Sequence, residues 1–462
     1  MRIGLFPLAR STFDIPFAES VLAQSLAALD AQGHDFAGTR ELIYTNEDAA
    51  PVVAALAAEP ELAAVLVLQI TFADAGMLQE LAKQVDCPIL LWGFPEPRWG
   101  GRPRLNALCG INLAAHALRR AEHPYRFLYA APDDRAGLAR LLAADGPAAS
   151  PPTVDPGQLA PADRVVADQA LAAVQRSRMG LVGTRPDGFE TCRFDADDLA
   201  ARFGVAVEPI ALDTLFDKAR ALEAPLIEPV RRRAEAELSG LDEVDGAATE
   251  KSYRLYAALR GLSAEQKLAG FAVRCWPEMF TDYGCAICGA LGMLNEDAIP
   301  CACEADVVGN VTNLLLQAIA GTPPWVVDLV HADATDDTAV VWHCGLAPRS
   351  MAGSAPKADI HANRKLPLLQ AFTLKPGRIT VARLSQATNG LVMVLAGAEM
   401  IDAPMSFGGT SGVLRFDRPA MAVIDDLLSF GLEHHVSIAY GDHRAALRAV
   451  AAKLELPVLE LA

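Results

Sequence analysis

The chain has 462 residues, 52% hydrophobic and 21% charged, and its 57 acidic against 40 basic side chains leave a formal charge of −17. That length predicts two or three domains, and the hydrophobic content excludes a disordered or collagen-like chain. An acidic balance with no long Lys/Arg block excludes nucleic acid as an expected partner, because phosphate neutralisation supplies that affinity. The opening Met1–Arg10 turns polar before a signal-peptide core forms, and no apolar run approaches the roughly 18 residues of a membrane helix. A cytoplasmic protein without a membrane partner is expected.

Apolar runs at Arg2–Pro7, Ala64–Gln69, Pro88–Trp92 and Arg126–Tyr129 alternate with amphipathic segments at Phe17–Ala31, Ala49–Ala58 and Ala75–Gln84. Such alternation predicts a parallel sheet covered by helices, so residues 1–150 are expected to form an N-terminal α/β domain. Asp145–Asp163 is dense in Pro and Gly, which continue neither a helix nor a central strand, and reads as a linker. A second alternation follows: helix Arg164–Gln175, strand Met179–Val182, loop Gly183–Phe189, helix Ala196–Phe203 and strand Val205–Ile210. It opens a second α/β domain over 164–350. Its Gly-Thr-Arg-Pro-Asp-Gly loop has neither the G-x-G-x-x-G pattern nor a Walker lysine, so no nucleotide cofactor is expected. Within 351–462, β runs at Arg378–Leu384, Gly390–Ala396, Val413–Phe416, His435–Tyr440 and Pro457–Leu461 accompany the helix Pro419–Leu428. The fold class expected is therefore α/β: two Rossmann-like parallel-sheet domains followed by a C-terminal α+β/β-barrel-like domain.

Nine cysteines are scattered through a chain too large to need stapling, which suits reduced thiols. Cys285-x-x-Cys288 and Cys301-x-Cys303 carry zinc-type spacing, but their flanks are apolar strand and helix, so buried packing is expected of them.

The chemistry concentrates after Ile299, where a short apolar run ends in Glu304 and Asp306 at the start of a helix over Val307–Ala320. One carboxylate there reads as a cap; two on one short turn point further. Gly321-Thr-Pro-Pro324 stops that helix before the strand Trp325–Val330, in which Asp328 sits among apolar residues. A buried aspartate is costly unless paired or metal-bound. The polar turn Ala332–Thr338 leads to a second apolar strand carrying His343. A hairpin turning about Thr335 and Asp336 sets Asp328 opposite His343, with Cβ atoms about 5 Å apart. With Glu304 nearby this is an oxygen-and-nitrogen donor set for a divalent cation such as Mn²⁺; the hairpin alone equally allows a satisfied Asp–His hydrogen bond. Alternation through Gly431–Gly441 places His434 with Val436 and Ile438, and His435 with Ser437 and Ala439, so His435 is expected on the less apolar face.

The order Cys275-Trp276-Pro-Glu278, Cys303-Glu304-Ala-Asp306, Asp328, Trp342-His343-Cys-Gly, then His435 followed by Tyr440-Gly-Asp442 closely resembles the L-fucose/L-arabinose isomerase family. The likeness is strongest over 270–350 and 370–462, and Arg10–Asp14, Leu68-Gln69 and Asn106–Gly110 resemble short, fucose isomerase-like members. The resemblance implies an aldose–ketose isomerase dependent on Mn²⁺, with Co²⁺ or Mg²⁺ as alternatives, working as a trimeric or hexameric homo-oligomer. It matches Glu304, Asp328 and His435 to the metal ligands of the fucose branch and His343 to an additional ligand of the arabinose branch. The two acidic positions also match the family's acid/base groups. Elementary chemistry agrees: moving a carbonyl between C1 and C2 requires removal of a C–H proton and a Lewis acid to stabilise the cis-enediolate. Two carboxylates then shuttle the proton, with Glu304 as base, Asp328 as acid and His435 chiefly holding metal.

Trp276, Glu278, Asp306, His361 and Trp92 are expected to contact the monosaccharide; Glu278 reads equally as a structural acid at a helix start, and His361, in the polar loop Lys357–Arg364, reads first as solvated. Sites in this family form near subunit boundaries, so Trp92 and Glu96 are expected to complete a neighbour's pocket. Two rival readings stand beside the isomerase: aldolase or epimerase chemistry through the same intermediate, and a non-catalytic sugar-binding protein, against which three metal-type ligands count. No Lys/Arg cluster advertises an anion pocket, although Arg10, Arg185 and Arg274 lie in loops or strand ends.

Overall fold

The computed structural model describes residues 2–98, 101–143, 160–388 and 390–462. Of the segment read as a linker, 145–159 lie outside those residues, and Pro161 already opens the helix Pro161–Val174.

The first sheet is parallel and five-stranded, built from β1 (Arg2–Leu8), β2 (Asp35–Gly38), β3 (Ala64–Gln69), β4 (Ile89–Gly93) and β5 (Tyr125–Tyr129) in the order β2-β1-β3-β4-β5. Ala-Val-Leu-Val-Leu-Gln of β3 is buried at every position, as a parallel strand covered by helices on both faces must be. The helix Ala107–Arg120 is buried along most of its length because it packs on β4 on one side and on elements of the C-terminal third on the other. The second sheet is four-stranded and parallel: β6 (Arg178–Val182), β7 (Ala206–Ile210), β8 (Leu268–Val273) and β9 (Cys301–Ala302), in the order β7-β6-β8-β9.

The third sheet contains β10 (Trp325–Asp333), β11 (Thr338–His343), β12 (Lys357–Asp359), β13 (Leu369–Thr373), β14 (Gly377–Thr388), β15 (Gly390–Ile401), β16 (Thr410–Phe416), β17 (His435–Tyr440) and β18 (Val458–Glu460). Antiparallel pairing runs β16-β11-β10-β17-β14-β15, and β15 pairs back onto β16. The sheet therefore closes into a barrel, which removes the exposed edges an open sheet of this length would carry. One edge of β15 serves two partners, β18 over Met393–Leu395 and β16 over Ala398–Ile401.

The hairpin β10–β11 was grouped by sequence with residues 164–350, but its strands belong to this barrel, because β10 finds a partner on each side, β11 and β17. The helix Val307–Ala320 joins the layers, packing on β8 of the second sheet and on β14 and β17 of the barrel. The seam where the second sheet meets the barrel is where Glu304, Asp328 and His435 come together.

Candidate functional site

Glu304 stands in the crossing from β9 to the helix Val307–Ala320. Both Glu304 (φ 58°) and Ala305 (φ 56°) are left-handed, a conformation that costs an L-residue about 1–2 kcal/mol and persists only where the surroundings hold it. The Ala305 N–H donates to Val273 O at 3.0 Å, which pins the turn. Asp306 then caps the helix, its Oδ1 accepting from Gly309 N at 2.8 Å, and so releases the neighbouring Glu304 carboxylate to face the barrel.

Asp328 comes from β10 and faces His435 of β17 directly across the ladder. The hairpin turns where the sequence predicts, with Asp333 opposite Thr338, but an irregularity between Leu329 and His331 shifts the register, so Asp328 stands opposite Trp342 rather than His343. An extra residue in one strand does this, leaving two positions against one. His343, at the end of β11, still reaches the site: one donor atom each of Asp328, His343 and His435 lie within 4.8 Å of one another.

The donor atoms converge. His435 Nε2 is 3.4 Å from Asp328 Oδ1 and 3.6 Å from Glu304 Oε2. His434 Nε2 is 3.1 Å from Glu304 Oε2 and 3.9 Å from Asp328 Oδ1. Behind them, Asp306 is fully buried and holds the other face of His435, Nδ1 to Oδ2 at 2.9 Å, while Arg383 donates Nη2 to Asp306 Oδ1 at 3.1 Å. Asp328 Oδ1, His343 Nε2 and His435 Nε2 are buried with no hydrogen-bond partner. Buried polar atoms are ordinarily paired, so Asp328 Oδ1 and His435 Nε2, unpaired and 3.4 Å apart beside Glu304, fit a cation, and a carboxylate–imidazole set suits Mn²⁺ or a similar divalent ion.

The same crowding separates the carboxylates. Burial pushes Glu304 up, but the hydrogen bond from His434 and the neighbouring histidines outweigh it and hold the carboxyl at about 2. Burial raises Asp328 to about 7; His435 opposes that rise, and the negative charges of Glu304 and Asp306 add to it. For Asp306, burial is outweighed by Arg383 and His435, leaving its carboxyl below the usual range. His343 is pushed down to about 3 by burial, with His435 adding to the effect.

Glu304, Asp328, His343 and His434 open into a cleft that Trp276 and His361 also line. Trp276 donates Nε1 to Glu304 Oε1 at 3.4 Å. His361 Nδ1 accepts the backbone N–H groups of Asn363 and Arg364 at 3.2 Å each, and its ring meets Phe280 edge-on at 5.0 Å.

The remaining expected contacts lie elsewhere. Glu278 turns to Arg274, Nε to Oε2 at 2.8 Å, because the nearer cation captures it. Asp306 is spent on His435 and Arg383 and positions the imidazole rather than meeting a ligand. Trp92 is in the core of the first sheet, where it packs on Phe94 and donates Nε1 to Ala130 O at 3.0 Å. Glu96 is consumed by backbone N–H groups of Arg104, Leu105 and Asn106. The first sheet does reach the cleft of its own chain, through Arg10, Thr12, Phe13, Phe72 and Asn106. Among the described residues, Cys285, Cys288, Cys301 and Cys303 join no group of three metal-type ligands; all four are buried, as packing residues are.

Sequence reasoning missed His434. Alternation assigned it to the apolar face, but β17 begins at His435, so the period of a strand does not govern His434. Asn106, whose Oδ1 is buried without a partner, was quoted only for its resemblance, and Arg364 was passed over beside His361.

A family model for the N-terminal domain of fucose/sulfoquinovose isomerases matches residues 4–140. A sulfoquinovose isomerase of Alkalicoccus urumqiensis is 30% identical over 458 residues, covering 98% of each chain. Those of Priestia megaterium (29% over 440 residues, 94% of each chain) and of Clostridium sp. strain MSTE9 (28% over 462 residues, 98% of each) are similar as well. Among the described residues, no helix is long and apolar enough to cross a membrane.

Proposed function

The chain belongs to the fucose/sulfoquinovose isomerase family and is a sugar isomerase, and on that premise we propose that it interconverts sulfoquinovose, a glucose carrying a sulfonate at C6, with its ketose, using a divalent cation. The observation that carries the reading is the convergence of Asp328 Oδ1 and His435 Nε2, buried and unpartnered, beside Glu304 in the cleft. Relatives named for sulfoquinovose that match the chain over nearly its whole length support the substrate.

Hydrogen bonds behind the histidines separate their roles. The ring nitrogen that binds a partner decides what the other nitrogen can do. His435 gives its Nδ1 hydrogen to the Asp306 carboxylate, so its Nε2 offers a lone pair. His343 does the opposite: its Nδ1 accepts the Cys344 N–H at 2.8 Å, so a neutral ring carries its hydrogen on Nε2. Glu304, Asp328 and His435 would hold the cation, and His343 would donate a hydrogen bond to a substrate oxygen.

What a bound Mn²⁺, Co²⁺ or Mg²⁺ supplies at such a place is Lewis-acid stabilisation of developing negative charge. The chain's own residues handle the proton. The two carboxyl groups that face the cleft carry the proton between C2 and C1, Glu304 as the base and Asp328 as the acid. Trp276 fixes Glu304 through Oε1 and His434 through Oε2. In this proposal the protein is cytoplasmic and works as a homo-oligomer, whose mass light scattering checks.

Deuterium incorporation at C2, followed by NMR in D₂O with chelator-stripped protein, tests the reading. Exchange and ketose formation from sulfoquinovose on adding Mn²⁺ are expected; exchange without ketose, or ketose formation indifferent to metal, overturns it.

A further inference from the structure

The cleft has a second end of opposite charge. Arg10 and Arg364 line it on either part of the chain, and both lie against Trp276, with guanidinium carbons 4.9 Å and 5.8 Å from its ring centre. Arg10 is compensated, its Nη2 standing 2.6 Å from Asp74 Oδ2. Arg364 is not: among the described residues no carboxylate pairs with it. Burial and the neighbouring Arg10 both push its pKa below the usual arginine range, and only Cys275 acts against them. A chain of net charge −17 has carboxylates to spare, yet among the described residues it pairs one with Arg10 and none with Arg364. A half-buried cation facing a second cation is costly unless an anion arrives to pair with it.

We propose that Arg364, with Arg10 beside it, is the anion-recognising end of the cleft and takes the sulfonate of the substrate, an assignment that rests on the isomerase reading for the identity of the sugar. Arg10, Asp74 and Arg364 sum to one positive charge, which a monoanionic sulfonate neutralises and a phosphate dianion exceeds. The guanidinium offers planar donors suited to several oxygens on one centre. Position agrees with charge. Trp276 touches Glu304 with its N–H and both guanidiniums with its ring, so the anion end and the proton-transfer end are an indole apart, as C6 and C1–C2 are at opposite ends of a hexose.

The test uses the full-length protein with Mn²⁺ and the variants Arg364→Gln and Arg364→Lys. For Arg364→Gln, kcat/KM on sulfoquinovose should fall about 100-fold, the scale of a lost charge-assisted contact, chiefly through KM. The fall on 6-deoxy-D-glucose should be at least tenfold smaller, and Arg364→Lys should recover part of the loss. Equal falls on both sugars, or none, overturn the assignment. If the unaltered protein isomerises neither sugar, the isomerase reading fails and the anion end is judged by tryptophan fluorescence with methanesulfonate as probe. Saturable quenching weakened at least tenfold in Arg364→Gln sustains it; absent or unchanged quenching overturns it. Should that variant not fold, competition on the unaltered protein decides: methanesulfonate should compete where uncharged dimethyl sulfone does not, and equal behaviour of the two overturns the proposal.

Discussion

Glu96, at the end of the first sheet, and Asp328, in the barrel, are both buried acids, and the chain treats them differently. Glu96 accepts from three consecutive backbone N–H groups and thereby shapes the loop that leads into the helix Ala107–Arg120. Burial raises its pKa while those N–H groups pull it back, and nothing of it faces the cleft. Asp328 is surrounded by side chains instead, and its Oδ1 has no partner. A buried acid whose oxygens are all taken is structural; one left unsatisfied among imidazoles is held ready for something the protein must bind.

The comparison can be broken at either acid. The largest effect is expected at the carboxylate beside Asp328: Glu304→Gln should lower kcat by about 10³-fold, the weight of a positioned general base, while circular dichroism shows an intact fold. Next, His435→Ala and Asp328→Asn should abolish the rise in melting temperature that Mn²⁺ gives the chelator-stripped protein, since a ligand stabilises only the state that binds it. His343→Ala should keep that rise and lose rate. Removing the support behind the imidazole, Asp306→Asn should weaken Mn²⁺ affinity by about 10–100-fold, the usual cost of losing a residue that orients a ligand, read by calorimetry.

A pH profile sharpens the contrast further. The folded-state pKa of Asp328 is raised to about 7, so its proton stabilises the metal-free fold below the unfolded value of about 4, and this contribution is lost as pH rises toward 7. Chelator-stripped protein should therefore lose up to about 1.4 kcal/mol of stability per pH unit across that window from this group, and Asp328→Asn should flatten the slope. Mn²⁺ affinity should fall as pH drops below 7, because proton and cation compete for one carboxylate. The smallest effect is reserved for the other acid: Glu96→Gln should cost about 1–3 kcal/mol in urea unfolding with kcat unchanged. A changed kcat would show that Glu96 is not merely structural.

Much of this site was legible beforehand. Asp328 and His435 stand out as polar residues in apolar strands, Glu304 and Asp306 as acids crowded on one helix-opening turn, and their order along the chain carries the resemblance to sugar isomerases. Legibility failed where local rules stop. His434 precedes its strand, so alternation did not apply. Glu278 and Trp92 looked equally suited to a sugar, but each found a nearer partner, Arg274 and Ala130 O.

The sequence by itself determined the alternating elements, the strand-rich α+β last third and the chemical types available for catalysis, because periodicity and residue chemistry are local properties of the chain. The tertiary structure alone decided that β10 and β11 join the barrel, that a register shift moves Asp328 off His343, which nitrogen of each histidine is free, and that Arg364 lies near Arg10 with no carboxylate paired to it among the described residues. Those outcomes depend on which groups closure brings within hydrogen-bonding reach of one another, and residues from distant segments meet only when the barrel closes and the first sheet packs beside it.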